Sequence, residues 1–175
     1  MTTLLLFALA QPVDPLAKSV RVSFDPPAAH PGETVTLKLT VTLPLGSHTY
    51  PTRQPEKVAA ASVSRFQFPA DGAVVFVGDV TDPAEFHAAA DPDLGVKQLR
   101  TLSGTVTFTR KLVVNPAQPA GTLTVTLPDV RLPVCSDAGC RPAKLTPSGT
   151  LTVLPGAVAV EPAHAAAVKK ALAGL

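Results

Sequence analysis

Between Thr34 and Leu43 the chain reads TVTLKLTVTL, so Val35, Leu37, Leu39, Val41 and Leu43 fall on one side of an extended backbone and Thr and Lys on the other. Side chains alternate faces along a strand, so this two-residue period predicts a strand with one buried face. The same alternation recurs at Val20-Val22-Phe24, over 63–68, 74–80 and 106–114, at Leu123-Val125-Leu127 and at Leu151-Val153. The pattern predicts about seven or eight short strands. Turn chemistry separates them: His30-Pro31-Gly32-Glu33, Pro69-Ala70-Asp71-Gly72, Asn115-Pro116 and Pro119-Ala120-Gly121. No helical period falls between them, which favours an all-β antiparallel sandwich over an α/β fold.

Two stretches break the rhythm. Residues 81–100, containing DPAEFHAAADPDLG, lack alternation and read as a long loop. Loops of this length either cover functional sites or are plain surface insertions. The tail, 161–175, is Ala-rich, with Lys169 and Lys170 near its end and Gly174 placed as a C-cap, and reads either as a short helix lying on the domain or as a frayed end. The first ten residues end an apolar run in Ala8-Leu9-Ala10, a small-x-small pattern read as a signal peptide cleaved before Gln11. The resulting division is a signal segment at 1–10, a linker at 11–17, a sandwich at 18–155 and a tail at 156–175. An exported, periplasmic or otherwise extracytoplasmic chain would occupy a compartment in which disulfides persist.

Composition narrows the core and the partners. Hydrophobic residues make up 46% of the 175, enough for a real core, but with seven Phe, one Tyr and no Trp it must be built from Val, Leu and Ala. Net charge is +2, which offers no nucleic-acid footprint. No segment after the N-terminus reaches the ~18–20 apolar residues of a membrane helix. Residues 1–93 hold six basic and ten acidic side chains, and residues 94–175 hold nine and three. Both cysteines lie in the basic half.

Those cysteines carry the candidate chemistry. The segment is Val134-Cys135-Ser136-Asp137-Ala138-Gly139-Cys140-Arg141-Pro142. A bridge needs Cα atoms within roughly 4.4–6.8 Å, so the chain must reverse between them. Ser-Asp-Ala-Gly suits that reversal, with Asp137 able to cap its own turn and Gly139 free to take positive φ. As a staple the pair is weak: a ring of about six residues stabilises by roughly 2 kcal/mol, against roughly 4 for a bridge spanning about 65. As a two-electron site it is convenient, because the second thiol is always poised to resolve a mixed disulfide. Arg131, Arg141 and Lys144 would favour a thiolate, and Asp137 would oppose it. A metal site would need His30, His48, His87 or His164 as further ligands, and none has ligand spacing to another or to the cysteines. Spacing alone leaves both exchange and a structural bridge open, the latter in a binding or scaffold module.

The cysteine segment resembles the active-site hairpin of the N-terminal extracytoplasmic domain of the thiol:disulfide interchange protein DsbD family: Cys, a polar residue, Asp, a short variable stretch, Cys, one residue and Pro. Leu43-Pro44-Leu45-Gly46-Ser47-His48-Thr49-Tyr50-Pro51 is similar to the family's segment after an early strand. The resemblance covers about 20–154. It implies an immunoglobulin-like fold and no cofactor. It implies that Cys140 attacks a target disulfide and Cys135 resolves the mixed species, with Tyr50, His48, Asp137 and Arg141 as neighbours. It further implies thioredoxin-like partners and a membrane electron donor. Without the family's usual fusion to a transmembrane and a thioredoxin-like domain, the expectation is either a stand-alone monomeric carrier served by a separate donor protein or a descendant that has changed job. Leu132-Pro133-Val134 stands where family members often carry an aromatic residue, and Ala143 where a second Pro often follows. The stretch 91–102 occupies the position of the family's cap loop.

Overall fold

The strongest alternation becomes the most buried strand. In the computed structural model, which describes Leu16 and residues 19–174, Thr34–Thr42 is a strand whose Val35, Leu37, Leu39 and Val41 are all buried. The expected signal segment and all of the expected linker except Leu16 lie outside the described residues. The elements in chain order are β1 (Val20–Asp25), β2 (Ala28–Ala29), β3 (Thr34–Thr42), β4 (His48–Thr49), β5 (Arg65–Gln67), β6 (Val74–Thr81) and β7 (His87–Asp91). They continue with β8 (Val96–Ser103), β9 (Thr105–Val114), β10 (Gly121–Thr126), β11 (Asp129–Ser136), β12 (Gly139–Leu145), β13 (Ser148–Val153) and helix α1 (Pro162–Leu172).

The result is an all-β sandwich. One sheet runs β1-β3-β9-β6, a second β10-β13-β2, and a third β12-β11-β4-β8-β7, with β5 joined to β11. Pairings are antiparallel except β2 with β13, which is parallel. The inward faces of all three sheets meet in one core. Leu37, Leu39 and Phe108 from the first, Val125 and Leu151 from the second, and Val130, Leu132 and Leu102 from the third are buried together. Leu16 also reaches this core. The outward faces of β3 and β9 carry threonines that meet across the strands, Thr40 with Thr107 and Thr42 with Thr105, so the alternation seen in the sequence is the inside and outside of one sheet.

Helix α1 lies on the outer face of β6, with Val168 buried against Val75, Val77 and Val113. The connection before it is clamped on the 30–32 turn. His30 Nδ1 lies 2.9 Å from the carbonyls of Pro155 and Gly156, and Val158 N–H donates to Pro31. A Cβ at Gly32 (φ +91°) would stand 2.1 Å from the Val158 carbonyl oxygen, so only Gly fits there.

The stretch read as a long loop holds a hairpin instead. β7 and β8 pair from His87↔Thr101 to Asp91↔Val96, with a register shift between Ala89 and Asp91. The sequence hides them for a physical reason. Four of the five β7 residues are exposed, so no buried face alternates there. β8 buries Val96 and Leu99 in one cluster and Leu102 in the other: the register shift breaks the alternation between the first two, and the clusters lie on opposite faces for the last two.

Candidate functional site

The site arises where β11 passes between two apolar clusters. Val130, Leu132 and Val134 face the main core. Cys135, of opposite parity, points to the reverse face of the sheet. There it joins Tyr50, Ala59, Val96 and Leu99 in a second cluster and is only 2% exposed.

Two prolines set the hydrogen-bond phase of the hairpin. Pro133 lies opposite Pro142, and since neither has an N–H this cannot be a hydrogen-bonded pair of the ladder. Alternation then makes Cys135↔Cys140 and Arg131↔Lys144 non-hydrogen-bonded pairs as well. Such pairs bring Cα atoms close, and those of Cys135 and Cys140 are 3.9 Å apart, joined by a disulfide. The chain reverses through Ser136-Asp137-Ala138-Gly139, with Gly139 at φ +108°. Ser136, rather than Asp137, caps the turn: its Oγ accepts the Ala138 N–H at 3.3 Å. Cys140, on the outermost strand, is exposed. The pair is therefore asymmetric, one cysteine buried and one exposed.

Tyr50 closes the sheltered side. Strand β4 lies between β11 and β8, His48 pairing with both Cys135 and Ser103. Tyr50 follows directly, and its carbonyl accepts the Ser64 hydroxyl at 2.5 Å while Ser64 N–H donates to Pro51. The Tyr50 hydroxyl donates to Cys135 Sγ at 3.5 Å, and the His48 ring meets the Tyr50 ring edge-on, 5.5 Å between centroids. Burial pushes the Tyr50 phenol above its ordinary pKa, and the Asp91 carboxylate adds to this, partly offset by the Ser62 hydroxyl.

The segment after Tyr50 continues the work of β4 with side chains. Gln54 Oε1 accepts the Arg100 N–H at 3.0 Å and its Nε2 donates to the Arg100 carbonyl at 2.9 Å. Glu56 Oε1 accepts the N–H groups of both Lys97 and Gln98. The β8 edge beyond β4 is thus satisfied without another strand, and Leu99 and Val96 are held over Cys135.

Between the hairpins lies an open cleft of about 400 Å3 lined by His48, Tyr50, His87, Asp91 and both cysteines. A cleft of about 510 Å3 between β6 and α1 is larger, but its one charged side chain is Arg110, stacked over Phe68, and it offers no nucleophile. The chemistry belongs to the cysteine cleft.

Of the residues singled out from the sequence, Cys135, Cys140, Tyr50 and His48 come together here, and His87, read only as a possible metal ligand, joins them on the cleft wall. Asp137 sits at the exposed turn tip. Arg141 pairs with Val134 and lies on the opposite face of the hairpin from the disulfide. Arg131 and Lys144 share the cysteines' face, but Arg131 is four residues from Cys135, about 13 Å along the strand, and its Nε is bonded to Asp129 at 2.7 Å. The basic neighbours read from the sequence therefore act on the sulfurs less than their proximity in the chain implies. Sequence reasoning missed Gln54 and Glu56, which lie in a stretch without periodicity, and it singled out neither Asp91 nor Leu99 within the stretch 91–102 that it set at the cap-loop position. Among the described residues no group of three or more His, Cys, Asp or Glu could hold a metal ion, and no helix is long and apolar enough to cross a membrane. No family model and no curated protein matches the chain.

Proposed function

We propose that the chain is an extracytoplasmic thiol–disulfide exchange protein of the kind its DsbD-like hairpin implies, passing electrons through Cys135 and Cys140 to thioredoxin-like partners. The observation that carries this reading is the asymmetry of the pair. A structural staple has no use for one exposed cysteine beside a cleft and one buried cysteine under a tyrosine, whereas exchange needs an attacking thiol within reach and a resolving thiol held back.

In the reduced protein the Cys140 thiolate attacks one sulfur of the partner's disulfide. That S–S bond breaks, the partner's other cysteine leaves as thiolate, and a mixed disulfide forms. The Cys135 thiolate then attacks Cys140 Sγ, forming the Cys135–Cys140 bond and releasing the partner as a dithiol. Two electrons have moved. A separate dithiol donor restores the reduced form by the same steps in reverse, entering at Cys140. Tyr50 serves the resolving step, because its hydroxyl is placed to donate to Cys135 Sγ and so favours the thiolate.

The test is trapping. Cys135→Ser should accumulate a mixed disulfide with an oxidised thioredoxin-like protein on a non-reducing gel, and Cys140→Ser should accumulate far less. A bridge that resists thioredoxin-like reductants and traps with neither variant is structural, and the exchange reading then fails.

A further inference from the structure

We infer that a partner reaching Cys140 docks by backbone pairing with the outer edge of β12, through one short β-bridge centred on Cys140 itself. This rests on the exchange reading above and specifies how the partner is held.

Two prolines decide which backbone groups of β12 are left over. Among the described residues β12 is the last strand of its sheet, with β11 on one side and no strand paired on the other. Residues of a non-hydrogen-bonded pair turn their own N–H and C=O away from each other. On β11 those groups find use: Cys135 meets His48 of β4, and Arg131 meets Arg65 of β5. Pro133, between them, lacks an N–H and falls in the gap between β4 and β5. On β12 the corresponding groups of Cys140, Pro142 and Lys144 point outward. Gly139, Cys140, Arg141 and Pro142 are all exposed.

Among the described residues the exposed Cys140 therefore presents an unpaired N–H and C=O on the same residue as its sulfur. An extended backbone can make a two-bond bridge there. Pro142 has no N–H, so the bridge cannot propagate towards Lys144, and the turn at Asp137–Ala138 ends it on the other side. The same proline protects the edge from longer, indiscriminate pairing. Only one side of the disulfide offers this approach, since β4, β8 and the Tyr50 cluster cover the other. The occupant is thus an extended stretch of a folded partner immediately beside its own reactive cysteine, recognised by its backbone and not by its side chains. That suits a carrier serving several proteins with different sequences around a common chemistry.

Hydrogen exchange of a defined adduct tests this. Cys140 of the Cys135→Ser variant is activated with Ellman's reagent and joined chemically to a single-cysteine thioredoxin, which forms the disulfide whether or not the natural exchange occurs. A glutathione adduct serves as control. The Cys140 amide should exchange on the order of tenfold more slowly in the thioredoxin adduct than in the glutathione adduct. The Arg141 amide, already bonded to β11, should be unchanged. In Pro142→Ala, protection should extend to residue 142. A Cys140 amide that exchanges equally fast in both adducts overturns edge pairing. Failure of spontaneous trapping in the gel assay, with Cys140 protected in the chemical adduct, overturns natural exchange and leaves the docking geometry standing.

Discussion

Tyr50 and Cys135 decide how the disulfide behaves. Replacing Tyr50 by Phe keeps the ring in its cluster and removes only the hydroxyl that donates to Sγ. A hydrogen bond to a charged group is worth roughly 1.5–3 kcal/mol, so Tyr50→Phe should slow resolution of a mixed disulfide by about tenfold or more, read as a longer adduct lifetime in quenched-flow alkylation. Trapping by Cys140 should be unaffected. Tyr50 also fixes a pH dependence. Its folded pKa is raised by burial and by Asp91, so its contribution to stability is fully present below the unfolded tyrosine pKa of about 10 and is lost as pH rises through the higher folded value. An absorbance titration should show phenolate appearing above the pH at which a free tyrosine ionises, and Asp91→Asn should bring the midpoint down. Much of this was out of reach from the sequence. The cysteine pair was legible in its spacing and turn chemistry, but its roles and the His48-Thr49-Tyr50 segment only through a motif resemblance, because periodicity assigns strands and says nothing about which polar group meets which sulfur.

Strands that bury one face were readable, and strands that bury none or both were not. β3 and β9 alternate because the core lies on one side and solvent on the other. β7 and β8 do not, and their hairpin was read as a loop for that reason. The support of β8 was invisible for a different one: Gln54 and Glu56 replace a strand with side-chain hydrogen bonds, and a Gln and a Glu in an irregular segment carry no signature. Their role predicts a local effect. Glu56→Ala removes the acceptor of the exposed Lys97 and Gln98 N–H groups, which water then takes over, and should cost about 0.5–1.5 kcal/mol, whereas Glu56→Gln, which keeps an acceptor oxygen, should cost less. The readout is hydrogen exchange, with amides 97–100 opening faster in Glu56→Ala and amides of β3 unchanged.

The two apolar clusters lie on opposite faces of the β11 sheet, and only the smaller one contains a cysteine. The sandwich should therefore survive loss of the bridge. The Cys135→Ser/Cys140→Ser variant is expected to remain folded with a stability loss of about 2 kcal/mol relative to the oxidised protein, as a ring this small implies. Urea unfolding would show it as a lower midpoint at unchanged slope. An unfolded double variant would assign the bridge to the fold instead. Gly32→Ala is expected to do more damage than its size implies, since the added methyl meets the Val158 carbonyl and displaces the connection to α1.

The contact between Tyr50 and Cys135 has an optical consequence. The chain contains one Tyr and no Trp, so all of its intrinsic ultraviolet emission comes from a phenol whose hydroxyl touches the disulfide. A disulfide in contact quenches tyrosine emission, and a dithiol does so far less. The oxidised protein should be dim and the reduced protein bright, with no label attached. Titrating it against thiol buffers in a fluorimeter would give its potential directly, and mixing it with a partner would report electron arrival in real time. In Tyr50→Phe that signal should vanish altogether.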